Sequence, residues 1–248
     1  MKLQEIFTQL SYGELSQICV GGAAAGVIDD SNYQQVTAHV NLGLTALYKR
    51  FPLKEGRLVI GLLPEHTNYT LTSAYALNNM KSKVTERYIQ DTATERFKDD
   101  ILKVERVYTD RGKEFGLNDD NDPYAFMTPS SITLRAPKAL AFGWSDLPTH
   151  LRTNTIEVVY RANHPIYNPD VGSFDPERIE IELPYTHLEP LLYFVASRFN
   201  NPVGMANEFH AGNSYYAKYE ASCQALEAVN LRVDQVSQEN RLQRMGWV

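Results

Sequence analysis

The sequence predicts an α+β protein in which helices from both ends of the chain form one domain and an antiparallel β domain is inserted between them. Three observations predict this architecture. Apolar residues recur at helical spacing near both ends, short apolar segments typical of strands fill the middle, and ten of the 12 prolines lie from Pro52 to Pro184. Proline interrupts helices, so that interval is hostile to long ones. We therefore predict a discontinuous helical bundle from residues 1–52 and 184–230, an inserted domain at 53–183 and a C-terminal tail at 231–248.

The segment from Pro184 to Leu231 predicts a helical hairpin. Apolar and aromatic residues in both of its halves recur at spacings of three and four, which is the period of one helix face. In the first half they are Leu188, Leu191, Leu192, Val195, Ala196 and Phe199, and in the second Phe209, Gly212, Tyr216, Tyr219, Cys223, Leu226 and Asn230. Asn200-Asn201-Pro202 supplies the reversal between two antiparallel helices.

Two earlier segments also predict helices. A long helix extends from about Asn32 to Arg50, and Pro52 stops it. Its apolar side comprises Val36, Val40, Leu44, Leu47, Tyr48 and Phe51. Ser11-Tyr12-Gly13-Glu14 has the form of a capping box and predicts a short helix from about Tyr12 to Cys19. The long helix is the partner on which the C-terminal hairpin is expected to pack.

The middle of the chain predicts strands joined by turns and loops. The six strand candidates are Arg57 to Leu63, Asn68 to Tyr75, Ile101 to Tyr108, Ile132 to Arg135, Thr155 to Arg161 and Arg178 to Leu183. Asp110-Arg111-Gly112 predicts a turn that leads into Lys113 to Leu117. A short helix is expected around Thr94 to Asp100. Long loops are expected at Asn118 to Ser130 and His164 to Pro176, where contacts with a neighbouring subunit would account for their length.

Composition and charge exclude several classes of protein. The net charge is -6 and the pI about 5.5, which gives no general electrostatic reason to bind nucleic acid. No apolar run approaches the roughly 18 residues of a membrane-spanning helix, and the N-terminus lacks the pattern of a secretory signal, so we expect synthesis in the cytoplasm and no membrane partner. The 15 tyrosines instead favour a protein that contacts other proteins, because tyrosine is enriched at protein interfaces.

The motif search gives no positive signal for catalysis, a cofactor or a metal. Gly21 to Gly26 lacks the Lys-Ser or Lys-Thr and the preceding strand of a phosphate-binding loop, so a helix end and a connecting loop are favoured. No two of the six histidines have the spacing of paired ligands on a helix, and Cys19 and Cys223 are expected to be packing residues. Asn118 to Asp122 lacks the glycine and distal glutamate of a helix-loop-helix calcium site. Ala141 to Asp146 lacks the second glycine of a nucleophile elbow.

The segment 231–248 loses the helical stripe, and two interpretations stay open for it. Charged residues stand among Gln, Ser and Asn, as in a solvated, frayed chain end. The segment also contains Val233, Val236, Leu242, Met245 and Trp247, which are apolar enough to dock on a partner.

Several segments carry a resemblance to a known family. They are Leu47-Tyr48-Lys49-Arg50-Phe51, Val107 to Gly112 with Gly116-Leu117-Asn118-Asp119, Ile179 to Leu183 with the helix to Phe199, and Gly212-Asn213-Ser214-Tyr215-Tyr216-Ala217-Lys218-Tyr219-Glu220 leading to Glu227 and Arg244-Met245-Gly246-Trp247. The predicted elements follow in the order of two helices, a β insertion, a helical hairpin and a tail. With these segments and this order, nearly the whole chain resembles the head-to-tail adaptors of short-tailed bacteriophages, also called tail tubular protein A.

The resemblance implies a structural virion protein with no catalytic residue and no cofactor. Members of that family form a dodecameric ring between the portal and the tail nozzle, and double-stranded DNA passes through it. It therefore implies a homo-oligomer whose partners are the portal and nozzle proteins. We expect acidic side chains to line the channel, because a basic lumen would hold the sliding DNA. The candidate residues for a subunit or portal interface are Tyr215, Tyr216, Tyr219, Arg232, Arg241, Arg244 and Trp247.

Two other classes of function remain open. One is a carbohydrate- or receptor-binding β module of a virion, in which the inserted strands and exposed aromatic residues would be the active part. The other is a hydrolase, which no motif supports. A stable or portal-induced ring would favour the adaptor, whereas a persistent monomer that binds glycans would favour the β module.

Overall fold

The structure is a computed structural model that describes residues 1–16, 24–141, 147–168, 174–200 and 206–229. The described chain is α+β with antiparallel sheets, as the sequence predicts. The chain divides into two compact units. Unit 1 comprises Met1–Leu53 and His164–Val248, and unit 2 comprises Lys54–Asn163. Unit 2 is thus an insertion in the sequence of unit 1.

The described residues form the following helices and strands. They are α1 (Leu3–Tyr12), α2 (Tyr33–Arg50), β1 (Glu55–Gly61), β2 (Asn68–Thr70), β3 (Ile89–Gln90), β4 (Ile101–Thr109), β5 (Glu114–Phe115), β6 (Met127–Ser130), β7 (Thr133–Arg135), α3 (Lys138–Ala141), β8 (Thr155–Ala162), α4 (Leu188–Phe199) and α5 (Ala206–Ala228). Short 3₁₀ turns occur at Asp30–Asn32, Ser73–Tyr75 and Tyr185–His187.

Helix α2 confirms the long helix predicted near the N-terminus, and all six residues of its predicted apolar side are buried. It packs antiparallel to α4. The ring of His39 contacts that of Phe199 near the start of α2, and Phe51, just past its end, contacts His187. Between these contacts Gly43 allows a close approach, since a Cβ there would lie 2.6 Å from the Cδ1 atom of Leu191.

Helix α1 replaces the short helix that the sequence predicted from Tyr12 to Cys19. It ends where that helix was expected to begin, and the amide of Gly13 closes its last turn on the carbonyl of Gln9. The supposed capping box is therefore a helix end. Four apolar residues at helical spacing hold α1 in the core: Leu3, Ile6, Phe7 and Leu10. Cys19 and the first half of the glycine-rich segment, Gly21 to Ala23, lie outside the described residues.

Helices α4 and α5 confirm the two helices predicted for the C-terminal hairpin, and they pack on each other. The predicted positions Leu191, Leu192, Val195 and Ala196 are buried in α4. Of the reversal Asn200-Asn201-Pro202, only Asn200 belongs to the described chain, where its amide closes the last turn of α4.

Unit 2 contains two antiparallel sheets. The larger has the strand order β3-β1-β8-β4-β5 and the smaller β2-β7-β6, and side chains of both join one hydrophobic cluster. In β8 every second residue belongs to that cluster, and from Val158 to Ala162 the residues between them are buried as well. Gly56 on β1 leaves room for the opposing Tyr160, because a Cβ there would lie 2.3 Å from its ring.

Four of the six strand candidates match β1, β4, β7 and β8 within two residues, and the predicted turn at Asp110-Arg111-Gly112 joins β4 to β5. The candidate from Asn68 to Tyr75 is shorter, because β2 ends at Thr70. The helix expected around Thr94 to Asp100 is wrong: that stretch is irregular, and Asp99 has a positive φ of 57°. Strands β3 and β6 were not predicted.

The strand predicted from Arg178 to Leu183 is also wrong. It forms only an isolated bridge between Lys2 and Glu180, and its alternating pattern serves to bury Ile181 and Leu183 in unit 1. The boundary between the two domains also differs from the prediction. The sequence placed residues 164–183 in the inserted domain, but Tyr167 exchanges hydrogen bonds with Asn41 on α2, so these residues belong to unit 1.

Candidate functional site

Helix α5 carries the tyrosines that the sequence proposed for an interface, and it buries only a narrow strip. Among the described side chains from 212 to 229, the buried residues are Gly212, Tyr219 and Cys223. Tyr216 is 46% exposed and Val229 is 65% exposed. Most of the circumference of this helix therefore faces away from the rest of unit 1.

Tyr219 belongs to the strip that attaches α5 to α4. It is 4% exposed, and its ring packs edge-on against that of Phe194 with 5.3 Å between centroids. Burial raises the pKa of Tyr219 and raises the pKa of the neighbouring Cys223 thiol to about 11, so both side chains are neutral at pH 7. Tyr219 is thus a core residue and does not belong to the candidate interface.

The other two tyrosines differ in their surroundings. Tyr215 is partly buried, its hydroxyl donates to the carbonyl of Glu14 at 3.4 Å, and the Lys218 ammonium lies 4.9 Å from its ring centroid. The same ammonium lies 5.8 Å from the ring of Tyr193 on α4. Tyr216 has its ring 5.7 Å from that of Tyr219 and extends to the surface. Of the three predicted tyrosines, Tyr216 is the one placed for contact with another molecule.

Arg50, at the end of α2, fixes α5 through two carboxylates. Its Nη1 lies 2.6 Å from Oε2 of Glu220, and its Nε lies 2.9 Å from Oε1 of Glu227. Glu220 and Glu227 are two helical turns apart and share one face of α5. Burial alone would lower the pKa of Arg50, but the hydrogen bonds to both carboxylates raise it above its ordinary value. The sequence analysis did not predict this pair of contacts, which we call the Arg50 clamp. The spacing of seven residues between Glu220 and Glu227 could have indicated that both acids lie on one face of the helix.

Four of the seven proposed interface residues lie outside the described part of the chain: Arg232, Arg241, Arg244 and Trp247. The structure therefore places only the three tyrosines. It brings Tyr216 and Tyr219 together and sets Tyr215 against Glu14 and Lys218.

The formal charge differs between the two units. Unit 2 contains 15 basic and 15 acidic residues, so the net charge of -6 belongs entirely to unit 1. The acidic loop of unit 2 uses its own groups locally, since Asp119 accepts from the amide of Asn121 and Asp122 accepts from the amide of Tyr124. The balance of acid over base is thus a property of the helical unit.

Within the described residues, no group of three His, Cys, Asp or Glu side chains is arranged to hold a metal ion. None of the helices in that part of the chain has the length and apolar character needed to cross a membrane. Comparison with models of known families and with curated proteins finds no match to this chain.

Proposed function

We propose that this protein is a structural adaptor of the head-to-tail kind found in short-tailed bacteriophages. Copies of the chain assemble into a ring, of twelve subunits as in the family that it resembles, that joins the portal to the tail nozzle. Double-stranded DNA passes through the ring during genome retention and ejection, without sequence-specific contacts. The helices of both chain ends form the bundle of each subunit, and residues 231–248 form a tail that contacts a partner. The adaptor performs no catalysis.

The observation that carries this proposal is the surface of α5. This helix has 23 residues and is therefore about 35 Å long, and among its side chains described from Gly212 to Ala228 three are buried in its own unit. It is nevertheless held in a defined position by Arg50 and by the packing of Tyr219 on Phe194. A rigid helix that exposes most of its circumference, including Tyr216, suits a contact between subunits.

The charge distribution supports the role of a DNA channel. Because the net charge of -6 belongs to unit 1, the helical unit suits the lining of a passage through which DNA must slide. Acidic side chains repel phosphates, whereas a basic lining would retain them by releasing counterions.

The proposal is tested by measuring assembly mass with purified portal. We expect the wild-type chain to form a ring on the portal, and Tyr216→Glu to weaken that assembly by about tenfold or more, because it places a charge in a buried contact. Tyr185→Glu is the matched control, since Tyr185 is also an exposed tyrosine of unit 1 but lies outside α5.

A chain that stays monomeric with portal present would overturn the adaptor proposal. If such a monomer bound glycans, the carbohydrate-binding module would replace it. Equal effects of the two glutamate variants would leave the ring in place but remove α5 from its interface.

A further inference from the structure

Unit 2 contains a cleft of about 380 Å³ that plays no part in the proposed ring contact through α5. It lies between the segment that includes β2 and the chain that leads into β3. Three aromatic side chains line it, His66, Tyr75 and Tyr88, together with the carboxylate of Glu86. Asn68 and Thr70 add polar groups at its wall. The cleft is large enough for one side chain or a small ring.

The aromatic wall of the cleft is built from interlocking rings. Tyr75 and Tyr88 stack with 4.9 Å between their centroids, and His66 lies 5.7 Å from Tyr88. Behind them the buried Tyr69 packs edge-on against both Tyr88 and His66, at 5.0 and 4.9 Å. Each ring is fixed by at least one other, so this wall exists before any ligand arrives.

The hydroxyl of Tyr88 is used within the protein. It donates to the carbonyl of Thr70 at 2.9 Å and accepts from the amide of the same residue at 2.7 Å. Burial raises the pKa of Tyr88 to about 12, so the phenol remains neutral. Tyr88 is also 2% exposed, so its ring supports the wall from behind, and the aromatic surface open to a ligand is that of His66 and Tyr75.

The charged group of the cleft is Glu86, whose side chain is 66% exposed. Its Oε2 lies 3.8 Å from Nδ1 of His66. No lysine or arginine is part of the lining. The adjacent Arg87 directs its guanidinium to the carbonyls of Leu77 and Ser82 instead, at 3.2 and 3.1 Å. The cleft thus combines a carboxylate with aromatic rings, a lining that repels anions and attracts cations.

We propose that this cleft binds the guanidinium group of an arginine on the surface of a partner protein. Arginine fits better than lysine because its planar group stacks on aromatic rings and also donates paired hydrogen bonds to a carboxylate. Glu86 accepts those hydrogen bonds, the rings of His66 and Tyr75 supply the aromatic surface, and the buried Tyr88 supports them from behind. Asn68 offers a carboxamide oxygen as a further acceptor.

The probe for this proposal is Nα-acetyl-arginine amide, titrated into the full-length protein while the ring signals of His66 are followed by NMR. We expect saturable shifts of those signals. Nα-acetyl-citrulline amide has nearly the same shape without the charge. It should bind at least about tenfold more weakly, because the donors of the hydrogen bonds to Glu86 lose their positive charge.

Glu86→Gln should reduce arginine binding by a similar factor, with Glu95→Gln as the matched control at an exposed glutamate outside the cleft. Glu86 is largely exposed, so its variant should fold, and the amide spectrum checks this. Equal shifts with arginine and citrulline would overturn the proposal, as would full binding by Glu86→Gln or the absence of any shift. Shifts produced by methyl glycosides alone would assign the cleft to a carbohydrate.

Discussion

Helices α4 and α5 follow each other in the chain and pack on each other, yet they bury very different amounts of their surface. In α4 seven of 12 residues are buried, and they occupy most of the circumference of the helix. In α5 the described buried residues are three, with Arg50 acting from the side. The difference indicates that α4 is part of the core of unit 1, whereas α5 is positioned by a few contacts and leaves its surface for another molecule.

The largest expected effect comes from removing a buried side chain of α4. Leu192→Ala should lower the free energy of unfolding by about 2–5 kcal/mol, because it deletes apolar contacts and leaves a cavity. Val229→Ala, at an exposed position just past α5, should change it by less than about 0.5 kcal/mol. Urea unfolding of both variants measures the contrast. Similar losses would mean that α4 and the end of α5 contribute alike to the core.

A smaller effect is expected at the clamp between α2 and α5. Arg50→Met should cost about 1–2 kcal/mol, a value kept low because both ion pairs are partly open to solvent. It should also speed hydrogen exchange of the α5 amides more than those of α4. Arg178→Met is the control, since the Arg178 side chain is 87% exposed in its pair with Asp175. Unchanged exchange in α5 would show that Arg50 does not hold it.

The last prediction concerns the pH dependence of stability, which should depend on a buried histidine next to α4. His187 lies just before α4, its Nε2 has no hydrogen-bond partner among the described residues, and burial lowers its pKa. The folded state therefore binds fewer protons than the unfolded state, so stability falls as the pH drops through the unfolded value of about 6.5.

The contribution of His187 to that slope is at most about 1.4 kcal/mol per pH unit. His187→Gln removes the titrating group, so unfolding measured from pH 7 to pH 5 should show a shallower loss than in the wild type. An identical pH dependence in both proteins would show that His187 is protonated in the folded state at no cost.

The sequence predicted those elements whose burial follows directly from a local period. The apolar stripe of α2 and the buried positions of α4 are regular, and helical spacing alone identifies them. Helix α1 has the same local period at its four core residues, and the prediction missed it because the capping-box pattern of Ser11 to Glu14 indicated a helix start where this helix ends. The chain from 176 to 181 returns to it, where Pro176 and Ile179 accept hydrogen bonds from Gln4 and Leu3. Such a contact is invisible in a local window.

The sequence predicted the helix that carries the candidate site, but not which of its side chains are exposed. The spacing of Tyr216 and Tyr219 places both on one stripe, and only the position of Phe194 decides that Tyr219 is the buried one. Arg50 and Glu220 are 170 residues apart in the sequence. The cleft of unit 2 likewise depends on how Tyr69, Tyr75 and Tyr88 pack on one another, and the sequence has no periodic pattern that predicts this packing.

The measurement that tests the central claim most directly is the mass of the full-length protein with and without purified portal, by light scattering or native mass spectrometry. We expect a closed ring on the portal that Tyr216→Glu disrupts and Tyr185→Glu leaves intact. A wild-type chain that remains a monomer in the presence of portal would contradict it.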